Sequence, residues 1–112
     1  KEYVDKLQNY MNDNKPYLDE ELTLHDLADT LSMSTHHLSM ILNIHFRQNF
    51  YNFINFHRVE DAKRKLIDPE YTDHNILEIA FSAGFNSKST FNSIFKKFTG
   101  MTPREYRAGS SA

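Results

Sequence analysis

The sequence predicts an all-α protein built from two helix-turn-helix halves joined by one long helix. Three observations predict it. Apolar residues recur at intervals of three and four along most of the chain, which is the spacing of one helical face. Gly and Pro number three each, and no β-branched run suits a strand. One apolar pattern of helix, turn and helix occurs twice, at a nearly constant offset.

From the N-terminus, residues 2–14 place Val4, Leu7, Tyr10 and Met11 on one face, so they read as a short amphipathic helix that braces the next helices. Asn14-Lys15-Pro16 ends it, and a polar connection leads to Leu22. Thr23-Leu24-His25-Asp26 has the form of a capping box, with Asp in place of the usual Glu or Gln. Leu24, Leu27, Ala28 and Leu31 then mark a helix of roughly two turns. Ser32-Met33-Ser34 breaks it, and Ser34 can cap the next helix. That helix is expected to turn Leu38, Ile41 and Leu42 inward, with His45-Phe46 after them.

Asn49 is a cap for the longest helical pattern, over residues 49–68. Phe50, Phe53, Ile54, Val59, Ala62 and Leu66 form its apolar side. Arg58, Lys63, Arg64 and Lys65 are expected outside, alternating with Glu60 and Asp61. Asp68-Pro69 ends it. After a loop to His74, Asn75-Ile76-Leu77-Glu78 is a second capping box. Ile76, Ile79, Ala80 and Ala83 run into Gly84, and Phe85-Asn86 leads to Ser87. Ser87 caps a helix with Phe91, Ile94, Phe95 and Phe98 on one face. Lys96-Lys97 suit the dipole of its last turn, and Gly100 suits the position just past its end. Thr102-Pro103-Arg104-Glu105 is a third capping box, with Pro at the first helical position, so the chain closes in a short helix with Tyr106 inward. The expected organisation is residues 1–48 as brace helix and first helix-turn-helix, 49–68 as linker helix, 69–107 as second helix-turn-helix and short helix, and 108–112 as a frayed tail.

The repeat is specific. Leu24, Leu27, Ala28, Leu31 and Met33 correspond to Ile76, Ile79, Ala80, Ala83 and Phe85 at an offset of 52 residues. After one inserted residue, Leu38, Ile41 and Leu42 correspond to Phe91, Ile94 and Phe95 at an offset of 53. The small residue of each first helix admits close approach of the second, and the apolar turn residue plugs the corner.

These residues also carry a family resemblance. Its strongest part is Ile79-Ala80, Gly84-Phe85, Ser87, Ser89, Phe91, Phe95-Lys96, Gly100, Thr102-Pro103 and Tyr106-Arg107. Leu27-Ala28, Met33-Ser34, Leu38, Phe50, Ile54, Arg58 and Ala62 support it. On these residues the chain resembles the DNA-binding domain of AraC/XylS-type transcription regulators, the arabinose-regulator family. The resemblance implies seven helices, with one helix of each pair placed in adjacent major grooves. It also implies a bacterial parent protein with a sensing or dimerisation domain before Lys1, and RNA polymerase as a further partner.

Charge is distributed unevenly. The net charge is −2. Residues 1–34 hold three Lys against eight Asp/Glu, hence −5; residues 35–112 hold ten Lys/Arg against seven Asp/Glu, hence +3. DNA affinity must therefore come from locally placed cations and polar contacts rather than bulk charge.

Readers of the major groove sit near the start of the second helix of each pair and face away from the core. In the second half these are Lys88, Ser89, Asn92 and Ser93. Lys88 can donate to guanine O6/N7 and Asn92 can bond adenine bidentately. In the first half they are Thr35, His36, Ser39, Met40 and Asn43, of which Met40 offers only apolar contact, as with a thymine methyl. Ser34 and Ser87, at helix N-termini, and Arg47, Lys96 and Lys97 are candidate phosphate contacts. Arg58 reads as structural.

Other chemistry finds no support. The chain has no Cys, no His-Glu-x-x-His and no glycine-rich phosphate loop. Paired acids such as Glu20-Glu21 lie in a polar connection with no apolar pocket to shift a pKa. No enzyme activity, cofactor, metal or small-molecule ligand is expected. The absence of Cys, of an 18-residue apolar run and of a signal peptide fits a cytoplasmic, DNA-associated fragment of a longer protein. The expected function is sequence-specific binding of double-stranded DNA. The alternative is the same fold used as a protein-interaction module, for example with RNA polymerase.

Overall fold

A computed structural model describes residues 2–111. Among them are seven α-helices and no strand. The helices are α1 (Glu2–Asn14), α2 (Leu24–Thr30), α3 (Thr35–Ile41), α4 (Phe50–Ile67), α5 (Ile76–Ser82), α6 (Lys88–Thr99) and α7 (Pro103–Ser111). The chain divides into two compact units, with the boundary between Ile54 and Asn55. Helix α4 gives Phe53 and Ile54 to the core of the first unit, and Val59, Ala62 and Leu66 to the core of the second.

In the first unit Leu7 and Met11 of α1 pack with Leu27, Ala28 and Leu31 from the α2 region and with Leu38, Ile41 and Leu42. The α1 stripe thus braces the helix pair, as its spacing predicts. Lys6 Nζ donates to the Leu31 carbonyl at 2.9 Å and satisfies one of the carbonyls that a helix end leaves open. The connection after α1 is less plain than its polarity suggests. A tight 3-10 turn, Pro16–Leu18, buries Tyr17 in the core.

The second unit repeats the plan. Ile79, Ala80, Ala83, Phe85, Phe91, Ile94 and Phe95 form one cluster with the α4 residues, and Tyr106 of α7 packs against it. Tyr106 meets Phe95 edge-on at 5.5 Å between ring centres. All three capping boxes form. Asp26 N–H donates to Thr23 Oγ1 at 3.1 Å, Glu78 N–H to Asn75 Oδ1 at 2.7 Å, and Glu105 N–H to Thr102 Oγ1 at 3.1 Å. Each acid accepts the reciprocal backbone N–H.

The two corners match at the level of single hydrogen bonds. Met33 N–H donates to Ala28 O at 2.9 Å, and Phe85 N–H donates to Ala80 O at 3.0 Å. The residue before each plug is left-handed, Ser32 at φ 57° and Gly84 at φ 101°. Helix ends match too: Arg47 (φ 55°) and Gly100 (φ 80°) hold the left-handed position after each second helix.

Three local expectations are corrected. His45 is exposed rather than inward, because Leu42–Phe46 is a π-helical turn. Its wider i→i+5 bonding rotates His45 out of α-helical register, while Phe46 meets Phe53 edge-on at 5.1 Å between ring centres. Asp61 is buried, 3% exposed, rather than on the solvated face. Its charge is matched by Arg64 at 2.7 Å and by Lys65, whose Nζ lies 2.5 Å from Oδ2 in a charge contact without hydrogen-bond alignment. Finally, α7 runs to Ser111, so residues expected to form a frayed tail continue the helix; Ala112 lies outside the described residues.

Ser32 carries a Cβ in a left-handed conformation where Gly84 carries none. Ser32→Gly should therefore raise stability by about 0.5–1 kcal/mol in urea denaturation. A fall in stability would mean the Ser32 side chain supports the corner.

Candidate nucleic-acid interface

Each corner delivers a second helix with its core face fixed. In the first unit Ser34 Oγ accepts the His37 N–H at 3.0 Å and starts α3. Leu38 and Ile41 turn inward. That leaves Thr35, His36 and Met40 exposed on α3 and Ser39 half-buried. His37 packs edge-on against Tyr3 at 4.6 Å and so belongs to the α1–α3 contact. Asn43 and Arg47 are exposed, but they lie in and just after the π-helical turn rather than on α3.

In the second unit Ser87 Oγ accepts the Thr90 N–H at 3.1 Å and starts α6. Phe91, Ile94 and Phe95 are buried. Lys88, Ser89, Ser93, Lys96 and Lys97 are exposed, and Asn92 is half-buried. Lys88 and Asn92 border a groove of about 870 Å³ that is also lined by Asn75, Ile76 and Leu77 at the start of α5 and by Thr102, Pro103, Arg104 and Arg107 of the α7 region. The structure thus sets Lys88, Asn92 and Arg104 on one groove. Arg104 was missed by sequence reasoning, although a cation directly after the Pro of a capping box was a usable signal. Ser34 and Ser87 each accept one capping N–H on the hydroxyl oxygen, a bond that does not use the hydroxyl proton.

Two basic side chains of this unit are committed to the fold. Arg107 donates from Nε to Leu66 O at 3.2 Å, and from its two terminal nitrogens to His74 O and Tyr71 O, both at 2.8 Å. It ties α7 to the end of α4 and to the 69–74 loop. Lys65 donates to Ser82 O at 3.0 Å and Ser82 Oγ at 3.2 Å, besides its contact with Asp61, and joins α4 to the end of α5. Arg58 is half-buried on α4. Among the described residues no group of three or more His, Asp or Glu is placed to hold a metal ion, and no helix is long and apolar enough to cross a membrane.

Two helix-turn-helix corners, each exposing the face of its second helix, define the class of double helix-turn-helix domains. A helix-turn-helix domain family model matches residues 27–109. The chain belongs to the AraC-type helix-turn-helix family of DNA-binding transcription regulators. An uncharacterized HTH-type transcriptional regulator of Staphylococcus aureus (strain COL) is 35% identical over 114 residues, covering 94% of this chain and 15% of that protein. The melibiose operon regulatory protein of Escherichia coli K12 is 31% identical over 105 residues, covering 94% of this chain and 33% of that protein. The chain thus spans a minor part of both relatives. Among solved structures, the C-terminal domain of the two-component response regulator yesN from Fusobacterium nucleatum superposes with a TM-score of 0.78 at 30% identity, covering 96% of this chain and 99% of that one. The C-terminal domain of AraT, a response regulator from Geobacillus stearothermophilus, gives 0.83 at 28% identity, covering 97% and 86%.

Arg107→Ala should destabilise the second unit by about 2–4 kcal/mol, because three backbone carbonyls lose a charged donor; Arg107→Lys should fail to restore it, since an ammonium cannot reproduce the guanidinium fork. Thermal melting of the three proteins checks this, and equal melting of wild type and Arg107→Ala would contradict it. Glu105 supplies a pH test. The Thr102 N–H first, and its hydroxyl second, hold the Glu105 carboxyl below its ordinary value, helped by Lys96. A depressed carboxyl stabilises the fold fully above its unfolded pKa and loses that contribution as pH falls through its folded pKa. The stability gap between wild type and Glu105→Gln should be open at neutral pH and close on acidification; a gap independent of pH would contradict the assignment.

Proposed function

We propose that the domain binds double-stranded DNA sequence-specifically, with α3 and α6 as its two recognition helices in adjacent major grooves. The observation that carries this reading is the repeated corner. The same hydrogen bond, a left-handed residue at the same position and the same serine cap present α3 and α6 in the same way within their own units. Thr35, His36, Ser39, Met40 and Asn43 face bases in one block, and Lys88, Ser89, Asn92 and Ser93 face bases in the other. Lys88 suits guanine and Asn92 suits adenine. Arg47, Lys96, Lys97 and the starts of α3 and α6 at Ser34 and Ser87 meet phosphates, with Arg104 added from the groove beside Lys88. These contacts are local cations on a chain of net charge −2, so phosphate contacts are few and the salt dependence is correspondingly modest. The parent protein adds a sensing or dimerisation domain and engages RNA polymerase from the DNA-bound state. The setting is the bacterial cytoplasm.

Duplex affinity should fall as salt rises, and a slope near zero in log affinity against log salt would remove the phosphate contacts from the account. Lys88→Ala should cost about 1–3 kcal/mol and relax preference at one base position. An equal loss on every duplex would instead make Lys88 a backbone contact.

A further inference from the structure

The two reading faces differ in kind. Helix α3 carries the residues Thr-His-His-Leu-Ser-Met-Ile, without one Lys, Arg, Asp or Glu. Beside the exposed polar Thr35 and His36 it shows hydrocarbon: Met40 is 44% exposed, and Ile44, one turn farther in the π-helical segment, is 64% exposed. Both border a groove of about 200 Å³ on the α1 side, shared with Tyr3 and Val4 of α1, with Ile41, and with His37 and His45. At the repeat offset of 53 residues the corresponding positions of α6 are Ser93 and Lys97, both exposed and both able to hydrogen-bond. The first unit therefore presents hydrocarbon where the second presents a hydroxyl and an ammonium.

We propose that Met40 and Ile44 read the C5-methyl groups of thymine, so that the first unit selects its block by apolar contact. This rests on the reading that α3 enters the major groove. The thymine methyl is the one apolar group on the base edges of an unmodified major groove. Hydrocarbon pressed against guanine, adenine or cytosine edges would strip water from donors and acceptors and offer no replacement bond, which is unfavourable. Against a methyl group the same hydrocarbon leaves water on both sides without that penalty. Ile44 thereby joins the specificity-determining residues, and its exposure acquires a reason.

The test uses the whole chain and the duplex it selects from a random pool. Each thymine of that duplex is replaced in turn by deoxyuridine, which removes the methyl and nothing else. Wild type should lose about fourfold in affinity at one or more positions, the effect expected of one buried methyl. The Met40→Ala/Ile44→Ala double variant should bind more weakly but show no loss at those same positions. Both residues are exposed, so the variant should melt with wild type. If no deoxyuridine weakens binding, or the variant loses affinity equally, the apolar face serves something other than bases and the proposal is overturned while DNA binding stands. If no duplex is selected at all, the DNA reading itself fails and the proposal falls with it.

Discussion

The corner between the two helices of each pair is the constraint on which the rest depends. Its core is one hydrogen bond, from the N–H of the apolar plug to a carbonyl of the preceding helix: Met33 to Ala28, and Phe85 to Ala80. That bond needs a left-handed residue just before the plug, which Ser32 and Gly84 supply. It also needs a small residue at the approach, and Ala28 and Ala80 are both buried to within 1%. Once these are met, the serine cap forms and the second helix begins in a set direction. Which residues it buries, and which it leaves outside, is then decided by helical period alone.

Each unit reinforces its corner differently. The first uses α1, whose Leu7 and Met11 complete the core and whose Lys6 closes the end of α2. The second uses charged side chains as ties, with Lys65 on Ser82 and Arg107 on three carbonyls of the 66–74 stretch. These ties keep two of the unit's cations in structural work. Lys88, Lys96, Lys97 and Arg104 stay at the surface, where the proposed function needs them.

Much of this was legible in the sequence because it is local. Caps, the αL glycine at Gly100 and the apolar stripes are set by residues a turn or two apart, the repeat shows as one local pattern written twice, and the seven helices form as their patterns predict. What was not legible depends on partners distant in sequence or on a change of helical pitch. Asp61 looks like one more surface acid, because Arg64 and Lys65, three and four residues on, suit a solvated helical pair as well as a buried one; its burial follows from how α4 packs in the second unit. Tyr17 lies in a polar stretch and is buried only because the 3-10 turn points it at the α1 stripe. The π-helical turn at Leu42–Phe46 shifts every later side chain, so His45 could not be placed from α-helical period. On α3 and α6 most of the positions expected outside are exposed. The sequence did not separate Asn92 and Ser39, both half-buried, from fully exposed neighbours such as Lys88, nor show that Arg104 shares a groove with Lys88.

The central claim is that one chain carries two readers of DNA. The most direct measurement is the base preference recovered by selecting bound duplexes from a random pool. The account predicts two separate blocks of preference, one abolished by changes on α3 and the other by changes on α6. A single block sensitive only to α6, or no preference at all, would contradict it.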